Sequence, residues 1–367
     1  METRRTGRLP LGVALLIVAV ICALSVLGAY LTRQITAEDV YGEYTTVSLT
    51  GNEGVQVSGN VFVYYNGSTL ASVSSSGETL WTYMVGANAS FNASDAGVAA
   101  WSGQTLTVID REQASTIYSN PSMEAEVLSA RTGEVYTAVL LAPEHDSTIV
   151  LIENGGREVD RITFADQTVL DYGFFSSGEL FWVMSLDTSG TVPTTSISTY
   201  RPGRMIVGSI TDSQQLMYQV MFQSSQVVCA GTTYLKVFDY TGQEVTDKRV
   251  LTYGWYLAAV EQGRDDPMMA FVPDAQYGAG GEMRDVRMIR SNLDQIVRMP
   301  YPCKALVAKG DRVYGFSDSG YVMVARAGTQ EVDAYMLEVA SGDVYGVTDD
   351  RVAVIGSGNT AYLVTLP

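Results

Sequence analysis

Residues 61–81 read VFVYYNGSTLASVSSSGETLW: an apolar run, a Gly turn, a second apolar run, another Gly turn, and a third strand closed by Trp81. Weaker copies follow down to the C-terminus. Apolar runs leading into a turn and a partner strand begin near Val61, Val98, Val135, Leu180, Val227, Met268, Val313 and Val352, at intervals of 37 to 47 residues. The partner strands are equally legible as TLASVS, TLTVID, TIVLIE, SISTY, LKVFDY, VRMIR, YVMVAR and AYLVTL. Four strands of about five residues plus their turns occupy that length, so the spacing predicts the blades of a β-propeller. Val, Tyr, Thr and Ser are abundant, and no helical period appears beyond one N-terminal run, which makes the fold class all-β.

Eight starts predict eight four-stranded antiparallel blades; seven is the alternative, with one diverged unit an elaboration of its neighbour. The last unit reaches Pro367 one strand short, while EYTTVSL over residues 43–49 is a spare strand at the other end. Pairing the two closes the ring and removes the exposed edges that an open array presents.

The N-terminal run, residues 11–31, holds 21 residues without a charge. At about 1.5 Å per residue it spans the roughly 30 Å hydrocarbon core of a bilayer. Arg4, Arg5 and Arg8 precede it, and Arg33, Glu38, Asp39 and Glu43 follow. The basic excess before the helix keeps the N-terminus cytoplasmic and places the rest outside. The run exceeds a cleavable signal core, Val26-Leu27-Gly28 is a poor cleavage site, and Cys22 lies too deep in the run for a lipoprotein signal. The expected organisation is residues 1–10 cytoplasmic, 11–31 a transmembrane signal anchor, 32–43 a tether, and 44–367 an extracytoplasmic propeller in a single-pass plasma-membrane protein.

Composition narrows the partners. With 46% hydrophobic and 17% charged residues the chain is well cored rather than disordered. It carries a net charge of −17, and 39 acidic against 19 basic residues follow Arg33. Such a surface repels nucleic acid and anionic headgroups. Cys229 and Cys303 fall in different units, and three cysteines are too few for a disulfide framework, so buried free thiols are expected.

Ala71, Gly77 and Trp81 match, at the right spacing, the A-x-D-x-x-T-G-x-x-x-W repeat of the quinoprotein-dehydrogenase-like (PQQ-like, WD40-like) propellers, which this unit resembles. Ser76 stands where Thr is usual and Val73 where Asp is usual. The Gly permits the positive φ of a hairpin turn, and the Trp packs between blades. Asp239-Tyr240-Thr241-Gly242 keeps the turn but ends in Val245 without the Trp. In layout the chain is similar to the membrane-anchored propellers of Gram-positive bacteria, which carry one N-terminal helix and an external repeat domain.

Some quinoprotein propellers hold a quinone and Ca²⁺ for dehydrogenation. The resemblance implies that chemistry only with acidic and amide ligands around Ca²⁺ and an Asp base, often beside an adjacent-Cys disulfide; no matching Glu/Asn/Asp set is assigned and no Cys-Cys occurs, so no cofactor, metal or catalytic residue is assigned. The one histidine, His145 in PEHDS, offers a single ligand and reads as an exposed turn. No G-x-S-x-G elbow is present. Asp265-Asp266 and Asp349-Asp350 sit at turns before strands, where Asp caps backbone amides. Gly278-Ala279-Gly280-Gly281 lacks the Lys-Ser/Thr of a phosphate loop. Asn66, Asn88 and Asn92 begin Asn-x-Ser sequons and read as turn residues.

Aromatic residues are the most suggestive signal, with 22 Tyr and 4 Trp. Tyr253, Trp255 and Tyr256 in LTYGWYLAAV, with Tyr277, are the candidate contact residues of one propeller face, since exposed Tyr and Trp favour protein and glycan recognition. The expected function is therefore a non-enzymatic binding or scaffold propeller recognising an envelope protein or cell-wall glycan. The alternative is an envelope hydrolase or lyase with paired carboxylates, which requires an acidic axial pocket.

Overall fold

The computed structural model describes residues 43–367, except 143–145, 176–177, 262, 278–281 and 340–341, together with the backbone at residues 40 and 41. The 11–31 run, His145 and the 278–281 glycine segment lie outside the described residues. Among the described residues no helix is long and apolar enough to cross a membrane.

The compact unit Gly42–Pro367 is a propeller of eight antiparallel blades with four strands each. The first strands of blades 1 to 8 are Gly54–Ser58, Ser90–Ser94, Val127–Thr132, Gln167–Phe174, Met217–Gln223, Trp255–Val260, Ala305–Lys309 and Asp343–Val347, and these line the axis. The second strands start at Val61, Gly97, Tyr136, Phe181, Gln226, Met269, Arg312 and Val352, each within one residue of the start read from the apolar runs.

Those runs are apolar throughout because both faces of each blade are buried. In Val61–Tyr65, Phe62 and Tyr64 pack toward blade 8, while Val63 and Tyr65 pack toward blade 2. Alternate side chains of a strand point to opposite faces, so burying both faces turns an alternating pattern into a continuous one. Eight buried clusters fill the eight seams between neighbouring blades, among them the methionine-rich seam between blades 6 and 7, where Met268, Met283, Met288, Met299 and Met323 meet.

The ring closes as the spare strand predicted. Tyr44–Ser48 pairs antiparallel with Thr360–Thr365 as the outermost strand of blade 8, Tyr44 opposite Val364 and Ser48 opposite Thr360. Val47 and Leu49 enter the seam between blades 8 and 1 beside Phe62, Ala71, Val354 and Leu363. Near the axis, the Asp349 N–H donates to Gly59 O at 2.9 Å and ties the last blade to the first again.

The best-preserved unit shows what its motif residues do. Gly77 has φ +89, a left-handed turn that a side chain would strain. Trp81 is buried between blades 1 and 2, and its Nε1 donates to Arg111 O at 2.7 Å. Asn66 accepts the Ser68 and Thr69 N–H groups within its turn, and Asn88 is left-handed at φ +55. Asn92, expected in a turn, instead lies inside the first strand of blade 2. It follows Phe91, which is buried in the seam, so the segment is held as strand by packing rather than freed as a loop. Cys229 and Cys303 are free and buried, and burial pushes the Cys303 thiol up to about 12.

Blades 4 and 5 share a buried ion pair: Lys236 Nζ lies 2.6 Å from Asp212 Oδ2, with side chains 5% and 4% exposed. Burial alone pushes the Asp212 carboxyl up, but the Lys236 ammonium and the Gln214 N–H outweigh it and hold the carboxyl below its ordinary value.

Two outcomes follow for stability. Val47→Asp, which places a charge in the closing seam, lowers the unfolding free energy by about 3 kcal/mol or more in a denaturant titration; Thr46→Asp, on the exposed face of the same strand, changes it by about 1 kcal/mol at most. Asp212→Asn strands the buried ammonium and costs about 3–5 kcal/mol at neutral pH. Because the folded carboxyl titrates below the unfolded value of about 3.9, the pair's contribution is present above that pH and lost as pH falls through the folded value. The stability gap between wild type and Asp212→Asn therefore narrows below about pH 4, which unfolding curves at pH 7 and in acid measure.

Candidate functional site

The two ends of the propeller axis carry different loops. One rim is made of the turns between second and third strands and the connections from blade to blade. The opposite rim is made of the turns between first and second and between third and fourth strands.

The first rim gathers three of the four candidate aromatics. Tyr256, in the first strand of blade 6, stacks on Tyr218 in the first strand of blade 5 with centroids 5.5 Å apart and planes 3° from parallel. Tyr277, in the turn after the second strand of blade 6, also lies against Tyr256, with centroids 3.8 Å apart and planes 33° from parallel. This makes a ladder of three rings beside the axis. Its supports are local: Tyr218 Oη accepts the Leu257 N–H at 3.2 Å, the Tyr277 N–H donates to Asp274 O at 3.3 Å, and the Asp274 N–H donates to Gly254 O at 3.0 Å. The last bond ties the Tyr277 turn to the loop that carries Tyr253, whose side chain is 75% exposed. Tyr277 is 45% exposed, so the ladder ends in an open ring face.

The ladder is electrostatically distinct. A hydrogen bond with Tyr277, with burial second, pushes the Tyr256 hydroxyl up to about 12. Tyr218 is raised chiefly by burial, with the Asp274 carboxylate adding to it. Both shifts disfavour ionisation of the phenols.

Trp255 has a different place. It is half-buried against the seam between blades 5 and 6, with the Arg287 guanidinium 5.9 Å above its ring, so it underpins the Tyr253 loop instead of sharing its open surface. Three aromatics absent from the sequence-derived set add to this rim. Tyr218 lies 38 residues before Tyr256 in a different unit, and Tyr301 stacks on Tyr321 at 4.2 Å between blades 6 and 7. Tyr218 and Tyr256 take equivalent places in adjacent first strands, a signal readable once blade boundaries are aligned, whereas Tyr301 lies near the end of the fourth strand of blade 6 and Tyr321 opens the third strand of blade 7.

The opposite rim holds a charged cavity of about 470 Å³ at the mouth of blades 6 to 8. Lys309 contacts Asp349 at 2.6 Å and Glu261 at 3.2 Å, while Arg264 contacts the same two carboxylates at 2.8 and 3.2 Å. The result is a square of alternating charge built from three blades. Burial pushes the Asp349 carboxyl up, but Lys309 and Arg264 overcome it and hold it below its ordinary value. Glu261 Oε2 also accepts the Gly310 N–H at 2.9 Å.

The turn aspartates divide in role. Asp265 Oδ1 accepts the Ser224 N–H at 2.5 Å, and Asp266 accepts the Ser291 N–H at 3.2 Å, so both cap backbone as read from the sequence. Asp350 instead takes the Thr348 and Ser75 hydroxyls, each at 2.5 Å, and Asp349 takes cations. A hydrolytic pair needs one carboxylic acid kept protonated. In this cavity Glu261 and Asp349 are ion-paired. The carboxyl that burial raises, Asp171, lies in the first strand of blade 4 against Arg131 at 2.7 Å, outside the cavity lining. Among the described residues no group of His, Cys, Asp and Glu is arranged to hold a metal ion.

No family model matches the sequence, and no curated protein does. Solved structures match over most of their length. The C-terminal WD40 domain of Sif2 is 10% identical, with a TM-score of 0.61 over 89% of this chain and 99% of that one. Sqt1 of Saccharomyces cerevisiae is 10% identical, with a TM-score of 0.58 over 89% and 100%. BamB from Moraxella catarrhalis is 12% identical, with a TM-score of 0.55 over 88% and 98%. At these identities the likeness is one of fold: the chain is an eight-bladed propeller of the kind these proteins share.

Proposed function

We propose that this protein is a membrane-anchored binding propeller of a bacterial envelope. Residues 11–31 hold it in the plasma membrane with the N-terminus cytoplasmic, and the propeller stands outside, where its tyrosine rim recognises an envelope protein or cell-wall glycan without catalysis. The observation that carries this reading is the ladder Tyr218–Tyr256–Tyr277, which ends in an open ring beside the exposed Tyr253. Tyr presents a large, stiff contact area at low entropic loss, and phenols that remain donors add hydrogen bonds to a partner. The anchor rests on the 21-residue charge-free run and the arginines before it. A tether of residues 32–43 after the anchor favours envelope partners.

A photoreactive residue at position 253 or 277, activated in intact cells, is expected to crosslink to an envelope protein or wall polymer, whereas one at Glu331 on the opposite rim is not. Equal products from both rims, or none from 253 and 277, overturn the assignment of the surface. Alkaline carbonate extraction is expected to leave the chain with membranes; its release would remove the anchor.

A further inference from the structure

We infer that the tyrosine rim takes a cationic partner, a protein segment presenting several Lys or Arg side chains. This rests on the binding reading above and gives that surface a ligand chemistry.

Both rims carry carboxylates without an ion pair among the described residues, but the supply of cations in their turns differs. On the cavity side, cations stand among the carboxylates: Arg111 meets Asp95 at 2.7 Å, Arg249 meets Glu244 at 2.7 Å, and Arg264 meets Asp349 at 2.8 Å. On the tyrosine side, Lys304 is the one cation among the described turns and connections, and it is already held by Gly342 O at 2.5 Å and Asp318 at 3.5 Å. Glu53, Glu126, Asp146, Asp166, Asp274 and Glu338 sit in those same connections without an ion pair among the described residues. They are spread around the ring rather than gathered at one point, so their combined field is that of a negatively charged collar around the axis.

The aromatic ladder lies inside this collar. Asp274 opens the turn that ends in Tyr277 and is bonded to the Tyr253 loop, so a carboxylate without a counter-ion among the described residues stands beside two exposed tyrosines. The negative face of an aromatic ring attracts ammonium and guanidinium groups, and a nearby carboxylate strengthens the same preference. A neutral glycan would use the rings but leave the collar without a function. A single small cation would use Asp274 and leave the other carboxylates unanswered. A segment with several basic side chains engages both, with the collar steering encounter and the tyrosines fixing position.

The test uses the full chain in nanodiscs of zwitterionic lipid, with fluorescence anisotropy of a labelled Lys-rich Gly/Ser peptide. Its Glu-for-Lys counterpart and a neutral chito-oligosaccharide serve as comparison probes. The Lys peptide is expected to bind and to lose about ten-fold in affinity between low and physiological salt. Asp274→Asn and Tyr277→Ala each weaken it about five-fold, while Asp311→Asn on the opposite rim leaves it unchanged. All three positions are exposed, and an unchanged thermal midpoint shows that folding is intact. Equal binding of the Glu peptide, or equal losses from Asp311→Asn and Asp274→Asn, overturns the inference, the latter by showing attraction to net charge alone. Salt-insensitive binding of the oligosaccharide that Tyr277→Ala weakens also overturns it, but leaves the tyrosine rim as the recognition surface. Failure of every probe, together with no crosslink from 253 or 277, removes both readings.

Discussion

Closure of the ring is the constraint on which everything else depends. Each blade buries its two faces only against its neighbours, so a linear array would leave one apolar face open at each end. The seam between blades 8 and 1 removes both. It is made by Tyr44–Ser48 pairing with Thr360–Thr365, and by Val47 and Leu49 packing with residues from the two ends of the propeller. In stacked repeats, stability is close to a sum of nearest-neighbour terms, and a closed ring adds one term that no truncated array possesses. That term also covers the outer edge of the last blade, which would otherwise offer unpaired backbone groups to another chain.

Because the seams take both faces of the second and third strands, little of those strands is left for recognition. What remains accessible is the lining of the axis and the two sets of turns, and chemistry gathers there. Tyr218 and Tyr256 occupy equivalent places in the first strands of adjacent blades, so the propeller's own rotation from blade to blade brings the rings into register. The same geometry places Lys309 of blade 7 between Glu261 of blade 6 and Asp349 of blade 8. Both sites are consequences of the ring, since each combines residues from more than one blade.

This explains which parts were legible in the sequence. Continuous apolar runs located the second strands to within one residue, because double-sided burial leaves no polar phase in them. Gly77 and Trp81 were legible because a left-handed turn and a seam-filling ring each demand a particular residue type. The first strands were harder. Lining a solvated axis, they carry mixed residues such as Gly54–Ser58, which is partly buried throughout. The site inherits that opacity. Tyr253, Tyr256 and Tyr277 were visible as a cluster in sequence, but Tyr218 and Tyr321 reach the rim from other blades, and Trp255 shares the cluster's sequence while packing toward a seam. Composition alone did not separate the aromatics that hold blades together from those left open.

Charge shows the same division between holding the fold and leaving a surface free. Only 19 basic residues follow Arg33 against 39 acidic ones, so cations cannot neutralise every carboxylate. Where burial makes an unpaired charge most unfavourable, they are present: Lys236 on Asp212 inside the seam between blades 4 and 5, and Lys309 on Glu261 at the axis. The turns of the cavity rim carry further cations, which pair with Asp95, Glu244 and Asp349. The carboxylates left over lie in the exposed turns of both rims, where solvent screens them; on the rim bearing the open tyrosines Lys304 is the one cation among the described turns and connections. A surface that is both aromatic and uncompensated is unusual on stability grounds, because neither property strengthens the fold. Its Asp274–Tyr277 turn is nevertheless held by a backbone hydrogen bond to the Tyr253 loop and another within the turn. Order maintained in a segment that contributes little to the seams is what a preorganised contact surface requires, since rigid partners lose less entropy on association.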